Sequence, residues 1–220
     1  TAWMNMLAWQ RQKRKFTIQD FAGCRCWIGG DLASKLDVAA LGGLFEKDGE
    51  HCVIPKFYLP EKALEDSPRH MKYVTEGVLT TTPGDMTDYA FIEEDILDIA
   101  GKVELQDIAL DPAQANYLMT RLQQQGLPVI GFPQIVRNMS DPMKEVEART
   151  LSAKLEHDGN SMMTWMMGNV TARIDAKEHI YPRKETAEDK IDGPVALIIA
   201  MGRAMLSKDD EPEFQFFSVG

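Results

Sequence analysis

Three aspartates, Asp31, Asp111 and Asp192, combine a residue type with a placement that could do chemistry. Asp31 closes the run Cys24-Arg25-Cys26-Trp27-Ile28-Gly29-Gly30, Asp111 closes Ile108-Ala109-Leu110, and Asp192 opens Gly193-Pro194-Val195-Ala196-Leu197-Ile198-Ile199-Ala200. Carboxylates at strand ends and helix starts, far apart in sequence, are how a fold gathers negative charge at one point. Such a cluster needs cations to hold it together, and hard oxygen ligands suit Mg²⁺ or Mn²⁺. The chemistry expected of it is metal-assisted phosphodiester hydrolysis. Asp37, six residues after Asp31, is a fourth candidate: a short hairpin would bring the two together, as an auxiliary ligand or as a plain turn residue.

The elements that must position these residues begin with two strands, 24–31 and 37–45, joined by the turn Leu32–Leu36. A third extended segment, 52–59, follows the turn Lys47-Asp48-Gly49-Glu50, and short polar connections favour an antiparallel meander. Pro60 to Asp88 is irregular and reads as a surface excursion or lid. A helix over 88–100, a buried strand at 105–110, a helix at 113–125 closed by Gly126 and a strand at 127–132 form a β-α-β alternation, which implies parallel pairing. Ser140-Asp141-Pro142 predicts a helix over 140–157. The Met-rich 160–174 predicts another, its methionines filling core gaps. A loop at 175–190 and a helix over 191–206 close the domain. Residues 1–22 read as a basic, amphipathic connector with Trp3, Met4, Leu7 and Trp9 on one face, and 207–220 as an acidic, aromatic tail. An antiparallel meander followed by parallel strands, flanked by helices, is an α/β, ribonuclease H-like mixed sheet, with the domain at 23–206.

Composition bounds the function. A net charge of −10 is awkward for a protein gripping phosphates, so weak DNA binding by the isolated chain, or basic surface borrowed from another domain, is expected. The run Arg11-Gln12-Lys13-Arg14-Lys15 is a solvated segment or a DNA contact. Cys24, Cys26 and Cys52 make no disulfide framework and read as reduced core thiols of a cytosolic protein. His51, His70, His157 and His179 lack ligand spacing and read as structural or surface residues. No apolar run is long enough to cross a bilayer, and no signal peptide is visible. The start at Thr1 reads as a fragment or processed product.

The residues resemble the C-terminal nuclease domain of the large terminase subunit of tailed bacteriophages. Four stretches carry the resemblance, which covers about Gly23 to Leu206. They are Gly30-Asp31-Leu32-Ala33 with Asp37-Val38-Ala39-Ala40; Ala109-Leu110-Asp111-Pro112; the run from Met139 to Asn169 with His157-Asp158-Gly159-Asn160 and Gly168-Asn169-Val170; and Lys190-Ile191-Asp192-Gly193 leading into Ala196–Ala200. The resemblance implies an endonuclease that cuts concatemeric double-stranded viral DNA during genome packaging. It implies two ions ~3.5–4 Å apart, one activating water and one stabilising the leaving oxygen. It also implies an N-terminal packaging ATPase in the same protein, a portal and a small terminase subunit as partners, and a phage-encoded protein in the host cytoplasm. This chain contains no G-x-x-x-x-G-K-[ST] motif, so the ATPase half is expected to lie outside it.

Asp31 is expected to bridge the ions, with close approach permitted by Gly29 and Gly30. Asp111 stands before Pro112, which drives it out of helical geometry, so it can be a helix cap, a ligand, or both. The ligand role of Asp192 rests on the resemblance. Asn169, Lys154, Arg149 and Arg173 could hold phosphates or be solvated surface groups. Other readings are another ribonuclease H-like nuclease (transposase, integrase or junction resolvase) and a non-catalytic portal-docking domain.

Overall fold

The computed structural model describes residues 2–32 and 35–206. In chain order the elements are α1 (Met6–Arg11), a 3-10 turn at Ile18–Phe21, β1 (Arg25–Asp31), β2 (Ala39–Lys47), β3 (Glu50–Pro60), α2 (Glu61–Asp66), α3 (Met71–Thr75), β4 (Thr80–Thr82), α4 (Tyr89–Ala100), β5 (Glu104–Leu110), α5 (Pro112–Gln124), β6 (Val129–Gly131), α6 (Val136–Leu151), β7 (Leu155–His157), α7 (Ser161–Asn169), β8 (Thr171–Ile174), β9 (Ile180–Arg183) and α8 (Asp192–Ala204).

The main sheet runs β4-β3-β2-β1-β5-β6, with β7 also on β3. β1–β3 pair antiparallel, and β5 and β6 join parallel, which is the ribonuclease H-like order expected from the sequence. β1 is buried along its interior because both faces are covered. One face carries α4 and α5 over Cys26, Ile28, Leu41, Phe45, Ile108 and Leu110. The other carries α8, α6 and α7 over Trp27, Leu44, Val53 and Phe57.

α8 is apolar on all sides and buried from Gly193 to Met201, so its packing dictates its place. It lies directly on the backbones of β1 and β2. Gly29 and Gly42 are cross-strand partners, and both face α8. A Cβ on Gly29 would lie 2.6 Å from the Ala200 nitrogen and one on Gly42 3.1 Å from the Leu197 nitrogen. The close approach that the glycines permit is therefore that of α8, and Gly30 gives room to Leu110. One turn of helix back from Ala196, which overlies Gly29, is Asp192, and two strand residues on from Gly29 is Asp31. Arg203 Nε, 2.8 Å from Asp107 Oδ2, fixes the far end of α8 to β5.

Several elements differ from expectation. The excursion 60–88 holds α2, α3 and β4, and β4 extends the sheet parallel to β3. α6 starts at Val136, so Pro142 lies inside it, and it stops at Leu151, where β7 takes over part of the expected helix. α7 ends at Asn169, so the last part of that expected helix is instead β8, and the expected loop holds its hairpin partner β9. Among the described residues of the first segment the α-helix is confined to Met6–Arg11; Trp3, Met4 and Trp9 are buried, but Leu7 is exposed. Trp9 stacks on His157 and donates from Nε1 to Thr164, which ties this segment to α7. The tail 207–220 and Ala33 lie outside the described residues.

Candidate active site

The carboxylates meet where β1 and β5 end and α8 begins. Asp31, Asp37 and Asp192 line a cleft of about 560 Å³ with Lys35, Gln114, Gln134, Tyr181, Arg183 and Lys184. Asp111 stands beside this cleft, close enough to act electrostatically on Asp31. All four expected aspartates are thus brought to one end of the sheet.

Their present partners differ. Asp111 is extended (φ −75°, ψ 118°), as the following proline requires, and caps α5: its Oδ1 accepts from Ala113 N–H at 2.9 Å. Its Oδ2 accepts from the Gln134 backbone N–H at 3.1 Å. Asp31 Oδ1 accepts from Gln134 Nε2 at 2.9 Å. Asp37 pairs with the Lys190 ammonium at 2.7 Å. Asp192 Oδ2 is buried with no hydrogen-bond partner among the described residues.

Burial and mutual repulsion set the proton affinities. Asp192 is pushed up to about 8 by desolvation, then by Asp31 and Asp37, with Lys190 acting the other way. Asp31 is also raised, first by desolvation and then by Asp37 and Asp111, against hydrogen bonds from Gln134 and Gln114. Such a cluster is charged at a cost that a bound cation would offset.

The donor set fits a hard divalent cation in kind: it is all carboxylate oxygen, and the buried Asp192 Oδ2 has no hydrogen-bond partner among the described residues. Among the described residues no three such side chains already enclose an ion position. The reason is visible in the partners: Lys190, the Gln134 amide and the start of α5 hold the aspartates now.

The other sequence candidates divide. Arg173 on β8 pairs in register with Tyr181 and lines a groove beside the cleft with Arg183. Asn169 donates to the Lys190 carbonyl at 3.0 Å, holding the chain that enters α8. Arg149 lies at the opposite end of the sheet, bonded to Glu145 and His51, and the Lys154 carbonyl accepts from the His51 backbone there; neither reaches the aspartates. His157 and Asn160 are structural: His157 Nε2 engages the Trp9 carbonyl, and Asn160 caps α7. His51 is buried, and desolvation and Arg149 lower it to about 4. Sequence reasoning missed Gln114, Gln134, Tyr181 and Lys190. The amides and the phenol carry no motif; Lys190 was visible only as the neighbour of Ile191-Asp192.

A family model described as the terminase large subunit, endonuclease domain, matches residues 1–208. Protein YmfN of Escherichia coli (strain K12) is 38% identical, covering 96% of this chain and 50% of its own length. The terminase large subunit of Enterobacteria phage HK97 is 31% identical, covering 82% of this chain and 38% of its own. The chain therefore spans half or less of the length of these curated relatives. The crystal structure of the HK97 large terminase superposes with a TM-score of 0.82 at 26% identity, over 92% of this chain and 43% of that one. The large terminase nuclease of thermophilic phage G20c, crystallised with bound magnesium, shares the fold at a TM-score of 0.55 and 10% identity, over 83% of this chain and 85% of that one.

Proposed function

Since this chain belongs to the endonuclease-domain family of terminase large subunits, we propose that its aspartate cleft is a metal-dependent endodeoxyribonuclease site that cuts concatemeric double-stranded viral DNA during packaging. The observation that supports this most is the meeting of Asp31, Asp37 and Asp192 in one cleft, with Asp111 at its edge. Asp31, Asp111 and Asp192 would hold the cations, Mg²⁺ or Mn²⁺, with Asp37 as auxiliary. The magnesium in the G20c fold relative is consistent with that choice. When bound, a pair of such ions supplies Lewis acidity to the attacking water and the leaving 3′ oxygen.

The chain's own residues do the rest. Asp192 and Asp31, desolvated and mutually repelling, would give up their protons to become the anionic ligands of the cations. Lys35, Arg183 and Lys184 line the cleft and give DNA phosphates their nearest positive charge. Arg173 extends that charge along the neighbouring groove. Cationic side chains of this kind contact phosphates and not base edges, so cleavage would be sequence-independent and set by when DNA is presented. In the whole protein, a packaging ATPase preceding this domain, with the portal and small subunit, would do the presenting in the host cytoplasm.

Incubating supercoiled plasmid with the chain tests this reading. Nicking in Mg²⁺ or Mn²⁺, stopped by excess EDTA and restored by added metal, is the expected result. Undiminished cutting in chelator would remove the metal mechanism.

A further inference from the structure

Gln134 touches both strand-end carboxylates with two chemically different donors. Its backbone N–H donates to Asp111 Oδ2 at 3.1 Å and its side-chain Nε2 to Asp31 Oδ1 at 2.9 Å. The amide is itself oriented. Gln114 Oε1 lies 3.5 Å from Gln134 Nε2 and accepts from the Leu32 N–H at 3.3 Å. Both groups facing Gln134 are acceptors, so the NH₂ end of its amide must point at them. Gln114 projects from the first turn of α5, next to the non-helical Ala115 (φ −127°, ψ 16°), and lines the cleft. Leu32 N–H thus donates to Gln114, Gln134 donates to Gln114, and both amides act on Asp31.

The main chain of Gln134 is held separately: its carbonyl accepts from the Tyr181 hydroxyl at 2.9 Å, which ties the β8–β9 hairpin to the same residue. The loop is thus anchored through backbone groups at Asp111 and Tyr181. The side-chain amide adds no further anchor; its contacts are Asp31 and Gln114.

We infer that Gln134, oriented by Gln114, is a positioning residue that aims the Asp31 carboxylate beside Asp111 and thereby sets how tightly the site holds a divalent cation. This rests on the metal-site reading above. Outer-shell partners of ligating carboxylates act in this way, and their loss typically costs on the order of 10–100-fold in metal affinity or activity.

The test is Mn²⁺ affinity of the chain by titration calorimetry, with thermal melts in EDTA, for Gln134→Met, Gln114→Met, the double variant and Asp31→Asn. Methionine keeps the length and removes the amide. Gln134→Met is expected to weaken Mn²⁺ by about tenfold or more with the metal-free melting temperature nearly unchanged, and to lower kcat while leaving KM for DNA alone. Gln114 engages Asp31 as well as Gln134, so the three side chains form one network and the double variant should lose less than the sum of the two single losses. An Mn²⁺ affinity unchanged in Gln134→Met, additive losses, or losses matched only by a fall in melting temperature would overturn the inference. If Gln134→Met does not fold, Gln134→Leu decides by the same criterion. If Asp31→Asn also leaves Mn²⁺ binding intact, the metal-site reading itself falls; if Asp31→Asn abolishes it and Gln134→Met does not, only the role of Gln134 falls.

Discussion

Lys190 holds its ammonium 2.7 Å from Asp37, two residues before Asp192, with only 16% of its side chain exposed. The chain thus places a cation of its own among the aspartates. Replacing it, as in Lys190→Gln, leaves Asp37 uncompensated beside Asp31 and Asp192. The metal-free protein should then melt lower and bind Mn²⁺ a fewfold more tightly, because the competing charge is gone. Calorimetry and melts in EDTA read both effects; unchanged melting with weaker Mn²⁺ binding would make Lys190 a contributor to the site instead of a competitor. Asp37→Asn should cost less activity than Asp31→Asn.

The pH dependence has a definite sign. Asp192 is raised to about 8 in the folded chain from its ordinary value of 3.8. Between those values the folded chain keeps a proton that the unfolded chain has released, so stability falls as pH rises through the window. Asp31, shifted the same way, adds to the slope. In EDTA the protein should melt higher near pH 5.5 than near pH 8.5, and Asp192→Asn should flatten the difference. Added Mn²⁺ should reverse the trend, since the ligands must be deprotonated to bind it. A melting temperature in EDTA that rises across the window would contradict the repulsion described for the cluster.

Packing of α8 sets the geometry of the site, and Gly29→Ala measures it. The added methyl meets α8 backbone, which cannot swing aside as a side chain would. A loss of about 1–3 kcal/mol in denaturant unfolding is expected, with nuclease activity falling as Asp192 moves from Asp31. Full stability and activity in Gly29→Ala would show that α8 can shift without consequence.

Much of this was legible in the sequence, for reasons particular residues make plain. Asp31, Asp111 and Asp192 each border a long apolar run, and such runs mark buried strands and helices whose ends must converge in a mixed sheet. The start of α6 was not legible, because Ile135 provides no side-chain cap while Ser140-Asp141-Pro142, one and a half turns inside, mimics one. Ser140 serves instead as the acceptor for the Ile180 N–H, pinning β9. The β8–β9 hairpin was hidden because its turn depends on Asp175 Oδ1 accepting from Lys177 and His179, and on Glu178 at φ +61°. Gln134 and Gln114 were invisible, since an amide is informative only once the fold has put a carboxylate in front of it.

DNA binding should be weak and indifferent to sequence. The chain carries 34 acidic and 24 basic side chains, so few phosphates can be neutralised and the salt dependence should be shallow. Charge reversal at Arg183 and Lys184, which line the cleft, should weaken binding equally for unrelated duplexes. Tight binding to one defined sequence would point to a site-specific recombinase or nuclease.

The most direct measurement is plasmid nicking in Mn²⁺ by the wild-type chain against Asp31→Asn, Asp111→Asn and Asp192→Asn, each checked by thermal melt. The aspartates stand at one cleft from three separate elements, and three folded proteins with nearly all activity lost is the expected result. Normal cutting by all three folded variants would contradict the assignment of this cleft as the nuclease centre.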